Sequence, residues 1–342
     1  MIRLSVIIPV YNVEDYVAKC LDSLIPPAEE AILRGEEPEY EIIAVNDGST
    51  DSSPTIVQDY VNRYPQLIRL VTTENMGQGH ARNAGIDEAR GEYLYFIDSD
   101  DYLAPDAMSE LLNALDGDYD ILIFDSIAVN TDGLELEYRK GCARNDDLKL
   151  SHYPELLLQS PDVWNKIFRR SLYIESGVRF TERVWFEDLR TVPKLYHYTD
   201  RIVYLPKAWH RYVQRPGSVT NTRKIERNLE IIPAVDELIA FYKSTAEYPE
   251  IKDALEYLAF HSEFLTSSVR ANLADWHSDV QDKLREDFLG KFPNYASNPY
   301  VRTMSRKHKL LTTLLMHRQN LAVHIIMKLN NRLKVNKKLH GQ

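Results

Sequence analysis

The sequence predicts an α/β protein with a mostly parallel central sheet, helices on both faces of it, and a helical C-terminal extension. Two patterns predict it. Over residues 1–125, short β-branched or aromatic runs alternate with helical segments, which is the signature of βαβ units. From Ile225 onward, Leu229, Ile232, Val235, Leu238 and Ile239 recur at helical spacing. Three segments follow: a ligand-binding half over 1–125, a less regular half over 126–224, and a helical extension over 225–342.

The expected strands, in chain order, are Leu4 to Val10, Glu41 to Asn46, Ile68 to Thr72, Tyr93 to Ile97 and Asp120 to Phe124. Helices should start after Asn12 and Asp15, at Ser53 with Pro54, and at Pro105 with Asp106, because short polar side chains cap free amides and proline suits a first turn. Each strand then runs into a loop at the sheet edge where open α/β folds bind ligands. The glutamate-rich stretch from Pro26 to Tyr40 reads as a solvated excursion.

The bulk figures exclude several classes. With 44% hydrophobic and 27% charged residues, the 342-residue chain should bury a sizeable core. Cys20 and Cys142 are too few for a disulfide framework or a cysteine-built zinc site, and suit a reducing cytoplasm. The apolar opening from Leu4 to Val10 is too short to span a bilayer or direct export. A net charge of −10 repels nucleic-acid backbones, so no nucleic-acid partner is expected. That charge is uneven, since no carboxylate follows Asp287.

Three polar segments sit at expected strand ends. Asp98-Ser99-Asp100-Asp101 gathers three carboxylates, which suits a hard divalent cation; the bland alternative is an acidic turn capping the next helix. Asp47-Gly48 alone is a tight turn, with a carboxylate able to accept from a base or ribose. Asn75 to Gly85 places glycines ahead of a helix presenting Arg82 and Asn83, and in isolation reads equally as a glycine-rich helix start.

Together with Val6-Ile7-Ile8-Pro9-Val10-Tyr11-Asn12, these segments resemble, in order and spacing, the family 2 glycosyltransferases of the GT-A nucleotide-sugar-binding fold. The resemblance is dense to about residue 125 and thin to about 220. It implies an inverting transfer of a hexosyl or N-acetylhexosaminyl unit from a UDP-sugar to a hydroxyl of a glycan or lipid-linked glycan, with Mn²⁺ or Mg²⁺ as cofactor. Carried over by position, Pro9, Tyr11 and Asp47 hold the base, and Arg82 reaches toward it. Asp98 binds ribose or donor, Asp100 ligates the metal, and Asp101 supports the donor sugar.

Further along, Trp185-Phe186-Glu187-Asp188 resembles the family's Glu-Asp pair, with Asp188 as general base; without the resemblance it is an ordinary surface pair. Upstream lies Trp164-Asn165-Lys166-Ile167-Phe168. The segment from His210 to Thr220 resembles the loop that closes over the diphosphate. Arg215 and Ser218 are then phosphate contacts and His210 a metal or phosphate neighbour; a solvated basic loop is the alternative. The sequence departs from the pattern at Asn46, where an aspartate is frequent, and in the long Pro26 to Tyr40 insert.

Between Lys309 and Val335, Leu311, Leu314, Leu315, Ala322, Ile325, Ile326, Leu329 and Leu333 predict one amphipathic helix. Beside lysines and arginines it suits an anionic membrane surface, and equally packing on its own domain or a second subunit. The expected location is cytoplasmic, peripheral at the inner face of the cell membrane. Two rival functions remain: a non-catalytic nucleotide-sugar-binding partner, which the Glu187-Asp188 pair speaks against, and a nucleotidyltransferase, which needs a basic glycine-rich loop absent from Pro9 to Asn12.

Overall fold

A computed structural model describes residues 2–146, 148–215 and 225–339, the side chains of 331–339 excepted. The chain divides into two compact units, Met1–Arg215 and Pro216–Gln342.

The first unit is built on a nine-stranded sheet. Its strands are β1 (Leu4–Val10), β2 (Tyr40–Asp47), β3 (Ile68–Thr73), β4 (Tyr93–Phe96), β5 (Tyr102–Leu103), β6 (Ile121–Asn130), β7 (Glu135–Arg139), β8 (Lys166–Arg169) and β9 (Ile202–Gln214). Its helices are α1 (Val17–Leu24), α2 (Pro26–Leu33), α3 (Ser53–Arg63), α4 (Gln78–Glu88), α5 (Ala107–Ala114), α6 (Arg170–Ser176) and α7 (Glu187–Leu195). The spatial order is β3-β2-β1-β4-β8-β6-β9-β5, with β7 paired to β6. The first four strands pair in parallel, as the alternating pattern predicts. Beyond β4 the sheet is mixed: β8 runs antiparallel to β4 and β6, and β9 is parallel to β6.

Register explains why the polar segments meet. Leu4 stands opposite both Tyr40 and Tyr93, so β1, β2 and β4 run in phase and release their loops at one edge. Every residue of these three strands is buried, which is why they are apolar along nearly their whole length. Pro9 is tolerated in this central strand for a local reason. The Ile7 carbonyl accepts from Ile97 N on the β4 side, so two residues on, the proline nitrogen faces the same side past the last residue of β4, where no ladder bond is lost.

Two expectations are refined here. The glutamates of the Pro26 to Tyr40 insert are exposed, as expected, but the insert also contains α2, whose Ala28 and Ala31 are buried against the unit. The Asp120 to Phe124 run is the start of a ten-residue strand, extended by pairing with β7 and β9.

The second unit is helical: α8 (Ile231–Lys243), α9 (Tyr248–Leu258), a π-helical stretch (Ala259–Thr266), α10 (Ser267–Ala274), α11 (Val280–Lys291), α12 (Pro299–Thr303), α13 (Arg306–Met316) and α14 (Asn320–Leu339). Phe260, Phe264 and Phe288 pack ring to ring in its core. The single amphipathic helix expected from Lys309 onward is two helices, because the chain turns at Arg318 with φ of 57°. Leu311, Leu315 and Val323 are buried, whereas Leu310, Leu321, Ile325 and Leu329 are exposed. Among the described residues, no helix is long and apolar enough to cross a membrane.

Candidate active site

The loops after β1, β2 and β3 are tied together by side-chain to backbone bonds. Asn12 Oδ1 accepts from Thr50 N at 2.8 Å, and Val13 N donates to Ser53 Oγ at 2.9 Å, which fastens the first loop to the second. Tyr11 projects from this junction, 48% exposed. Asn46, at the position where an aspartate is frequent, accepts from Ser49 N and closes the turn after β2. Asp47 is buried, and its two oxygens accept from Met76 N and Gly77 N, each at 2.9 Å. Each oxygen keeps a second lone pair. Gly77 takes a φ of +89°, a conformation costly for any residue with a Cβ. At Gly79 a Cβ would sit 2.4 Å from the Thr181 carbonyl, so only glycine lets α4 start against the segment preceding α7.

That approach brings Arg82 of α4 between the two acidic segments. Its Nη1 donates to Asp188 Oδ1 at 2.6 Å and to Glu187 Oε1 at 2.9 Å, while Nη2 donates to Asp98 Oδ1 at 3.0 Å. The side chain is 1% exposed. Arg82, expected to reach toward the base, here joins Asp98 at the end of β4 to the Glu187-Asp188 pair opening α7. Gln78 Nε2 also donates to Asp98, at 2.5 Å. Phe186, just before the pair, takes a φ of 64°, a sparsely populated conformation for an aromatic residue.

Asp100 accepts from Arg215 Nε at 2.6 Å, and the same guanidinium lies 4.9 Å from the centre of the Tyr16 ring. Asp101 is buried; its oxygens accept from Val213 N at 2.7 Å and pair with His210 Nε2 at 2.8 Å. The other ring nitrogen of His210 meets Tyr95 Oη at 3.0 Å, and Trp164 stacks on the ring at 4.5 Å. Burial drives the His210 pKa down to about 3, so the ring is neutral. With both nitrogens in hydrogen bonds and no solvent exposure, His210 has no nitrogen to offer a cation. Next to the acid cluster where a metal or phosphate role was expected of it, the ring holds Asp101. Ser218 lies outside the described residues.

Burial pushes Asp98 up to about 6 and Asp188 and Asp101 well above the usual carboxylate range; mutual repulsion adds to this, and Arg82 opposes it at Asp98 and Asp188. Among the described residues no three metal-ligating side chains converge on one point. Mn²⁺ and Mg²⁺ commonly bind through one or two carboxylates plus ligand phosphates, and a strand end where negative charge is disfavoured suits such an ion. The same strain makes a pH prediction. Asp98 titrates near 4 when unfolded and near 6 when folded, so the native state holds the extra proton and its stability falls as pH rises between these values. Without metal, the wild type should lose melting temperature relative to Asp98→Asn from pH 4 to 6.5. A constant difference would show that Asp98 is unstrained.

The model of Glycosyl transferase family 2 matches residues 5–177, half of the chain. The chain belongs to this family. It is 34% identical over 171 residues to the putative glycosyltransferase EpsH of Bacillus subtilis, a match covering 49% of this chain and 47% of EpsH. The chain thus spans about half the length of that relative. S. aureus TarS 1–349 in complex with UDP-GlcNAc shares the fold at a TM-score of 0.55 and 22% identity, over 85% of this chain and 92% of TarS 1–349. A mannosyltransferase of Pyrobaculum calidifontis, in complex with GDP-Man and Mn²⁺, matches at 0.52 and 18%, over 96% and 87%. The fold of the family 2 chain is accordingly GT-A.

Gln78, Tyr95, Trp164 and Lys166 escaped the sequence-based list of site residues in this family 2 chain. The one visible signal was a lysine inside the apolar Trp164 to Phe168 run. Lys166 is fully buried, its ammonium donates to Ser160 O, Asp162 O and Asn165 Oδ1, and burial lowers its pKa to about 8.

Proposed function

We propose that this family 2 chain transfers a hexosyl or N-acetylhexosaminyl unit from a UDP-sugar to an acceptor hydroxyl of a cell-surface glycan, with inversion at the anomeric carbon. The observation that carries the reading is the Arg82 bridge. One buried cation joins the carboxylate at the end of β4 to the pair at the start of α7, so the donor side and the acceptor side share one ion network.

In this reading Tyr11 stacks on the base, and Asp47, prefixed by two backbone amides, accepts from it. Asp98 meets the ribose or donor sugar, and Asp101, clamped by His210 and Val213 N, shapes the donor pocket. Asp100 would hold Mn²⁺ or Mg²⁺ together with the donor's diphosphate, and such an ion would supply positive charge where the leaving group becomes more negative. Arg215, already on Asp100, adds a guanidinium beside the phosphates. Asp188 takes the acceptor proton. Its raised pKa makes it a stronger base than a solvated aspartate, and the Arg82 contact opposes that rise and orients the carboxylate. The acceptor oxygen bonds to the anomeric carbon as the bond to the UDP oxygen breaks on the opposite face.

Incubation with a panel of UDP-sugars and Mn²⁺, followed by UDP release with and without glycan acceptors, tests the reading. Acceptor-stimulated release from one donor, abolished by EDTA, is expected. Release from none of the donors, with no UDP binding, would remove it.

Attachment to an anionic membrane at the cytoplasmic face is part of the proposal. Leu321, Ile325 and Leu329 form an exposed stripe on α14 beside Lys328, in a stretch without carboxylates. Full-length protein should float with anionic but not neutral vesicles, and Leu321→Asp with Ile325→Asp should abolish flotation. Equal recovery of wild type with both vesicle types would reject the attachment.

A further inference from the structure

The first unit holds a second concavity, a cavity of about 420 Å³ between the β6–β7 hairpin and the segment 160–165. That volume falls within the range of small-molecule sites. Ser126 lines it, 1% exposed, and its hydroxyl has no hydrogen-bond partner among the described residues. A buried hydroxyl without a partner is costly, and one just behind a cavity wall gains a partner when a polar ligand presses into that wall.

The cavity lies on the face of the sheet that carries the acid cluster's supports. Ser126 stands opposite Arg139 on β7 and His210 on β9, and cross-strand partners share a face. Trp164 forms part of the wall and stacks on His210, which holds Asp101. The Asp162 carboxylate on the rim is near enough to Asp188 and Asp101 to raise the pKa of both.

The lining chooses the ligand class. Its charged side chains are Glu137, Asp162, Arg139 and Lys140, two of each sign. Arg139 Nε lies 3.6 Å from Glu137, and its guanidinium rests 4.6 Å from the centre of the Tyr212 ring, so its charge is neutralised and its plane held. Lys166 grips the carbonyls of Ser160 and Asp162 and the Asn165 amide oxygen from beneath, which makes that wall rigid. Paired acceptors and donors with no net charge match hydroxyls, each of which donates and accepts; a chain of phosphates would meet two carboxylates.

Resting on the transferase reading above, we propose that this cavity is an acceptor subsite binding an uncharged sugar unit next to the one that is glycosylated, with Ser126 Oγ and the Arg139–Glu137 pair as its polar contacts. The test uses full-length protein without donor. Saturation-transfer NMR is run with cellobiose, lactose and N,N′-diacetylchitobiose, and with a glycerol-phosphate oligomer as the anionic probe. At least one neutral disaccharide should bind, and Ser126→Val and Arg139→Gln should each weaken it about 10-fold or more. Melting curves confirm folding, and the partly exposed Arg139 gives a usable variant if Ser126→Val misfolds. Binding of none of the disaccharides, binding unchanged in a folded variant, or preference for the phosphate oligomer overturns the subsite. UDP titration with Mn²⁺ on the same samples separates the outcomes: lost saccharide binding with retained UDP binding sinks only the subsite, and absent UDP binding sinks the transferase reading.

Discussion

Asp188→Asn should lower kcat by about 10²–10⁴-fold, the usual contribution of a positioned general base, while leaving the donor KM near its wild-type value. The amide keeps the shape of the carboxylate and can still accept from Arg82 Nη1 through its oxygen, so what is removed is the capacity to take a proton. The pH profile sharpens the expectation. The base works only when ionised, and burial lifts its pKa, so wild-type kcat/KM should rise with pH along a limb displaced above the ordinary aspartate value of about 4. That limb should vanish in the variant. Stability should move the other way. A carboxyl whose folded pKa is raised disfavours the native state once ionised, so at pH 7.5 the variant should melt no lower than the wild type. Calorimetry and steady-state UDP release on the same preparations check both. Unchanged turnover would remove Asp188 as the base, and a collapse in melting temperature would make the activity loss uninformative.

Arg82→Met should damage both folding and function. The guanidinium is almost wholly buried and makes three charge-assisted contacts, to Asp98, Glu187 and Asp188. Methionine fills part of the volume and leaves three carboxylates facing one another with no cation between them. Removing one partner of a buried ion pair typically costs about 3–5 kcal/mol, which in a unit of this size lowers the melting temperature by roughly 10 °C. The loss should shrink at pH 5, where the carboxylates protonate, and grow at pH 8. Arg82→Lys keeps the charge but not the fork that spans both sides, so it should recover much of the stability and little of the turnover. A methionine variant with wild-type melting temperature at pH 8 would show that the bridge is not what binds the two acidic segments together.

The strands β1, β2 and β4 were legible to within a residue or two because they are buried on both faces and therefore apolar along most of their length. The acidic segments were legible as residue types at strand ends. Less could be read in the second half of the sheet, where β7, β8 and β9 draw their order from pairing with β6 and carry more mixed patterns. The α2 helix was hidden by its glutamates, since two buried alanines give a weak periodic signal. His210 illustrates a different limit: a histidine near aspartates looks the same in one dimension whether its nitrogens face a cation or a tyrosine.

By itself, the sequence determined that polar segments follow each of the first four strands, because hydrophobic periodicity sets where strands stop. It determined equally that carboxylates, a tyrosine and glycines occupy those ends. Only the tertiary structure decided which way Arg82, His210 and Asp101 point, and that the Glu187-Asp188 pair meets Asp98. Those choices depend on the close approach at Gly79, on the register of β9 against β6 and on burial, all of which join residues about 100 positions apart and are settled by packing.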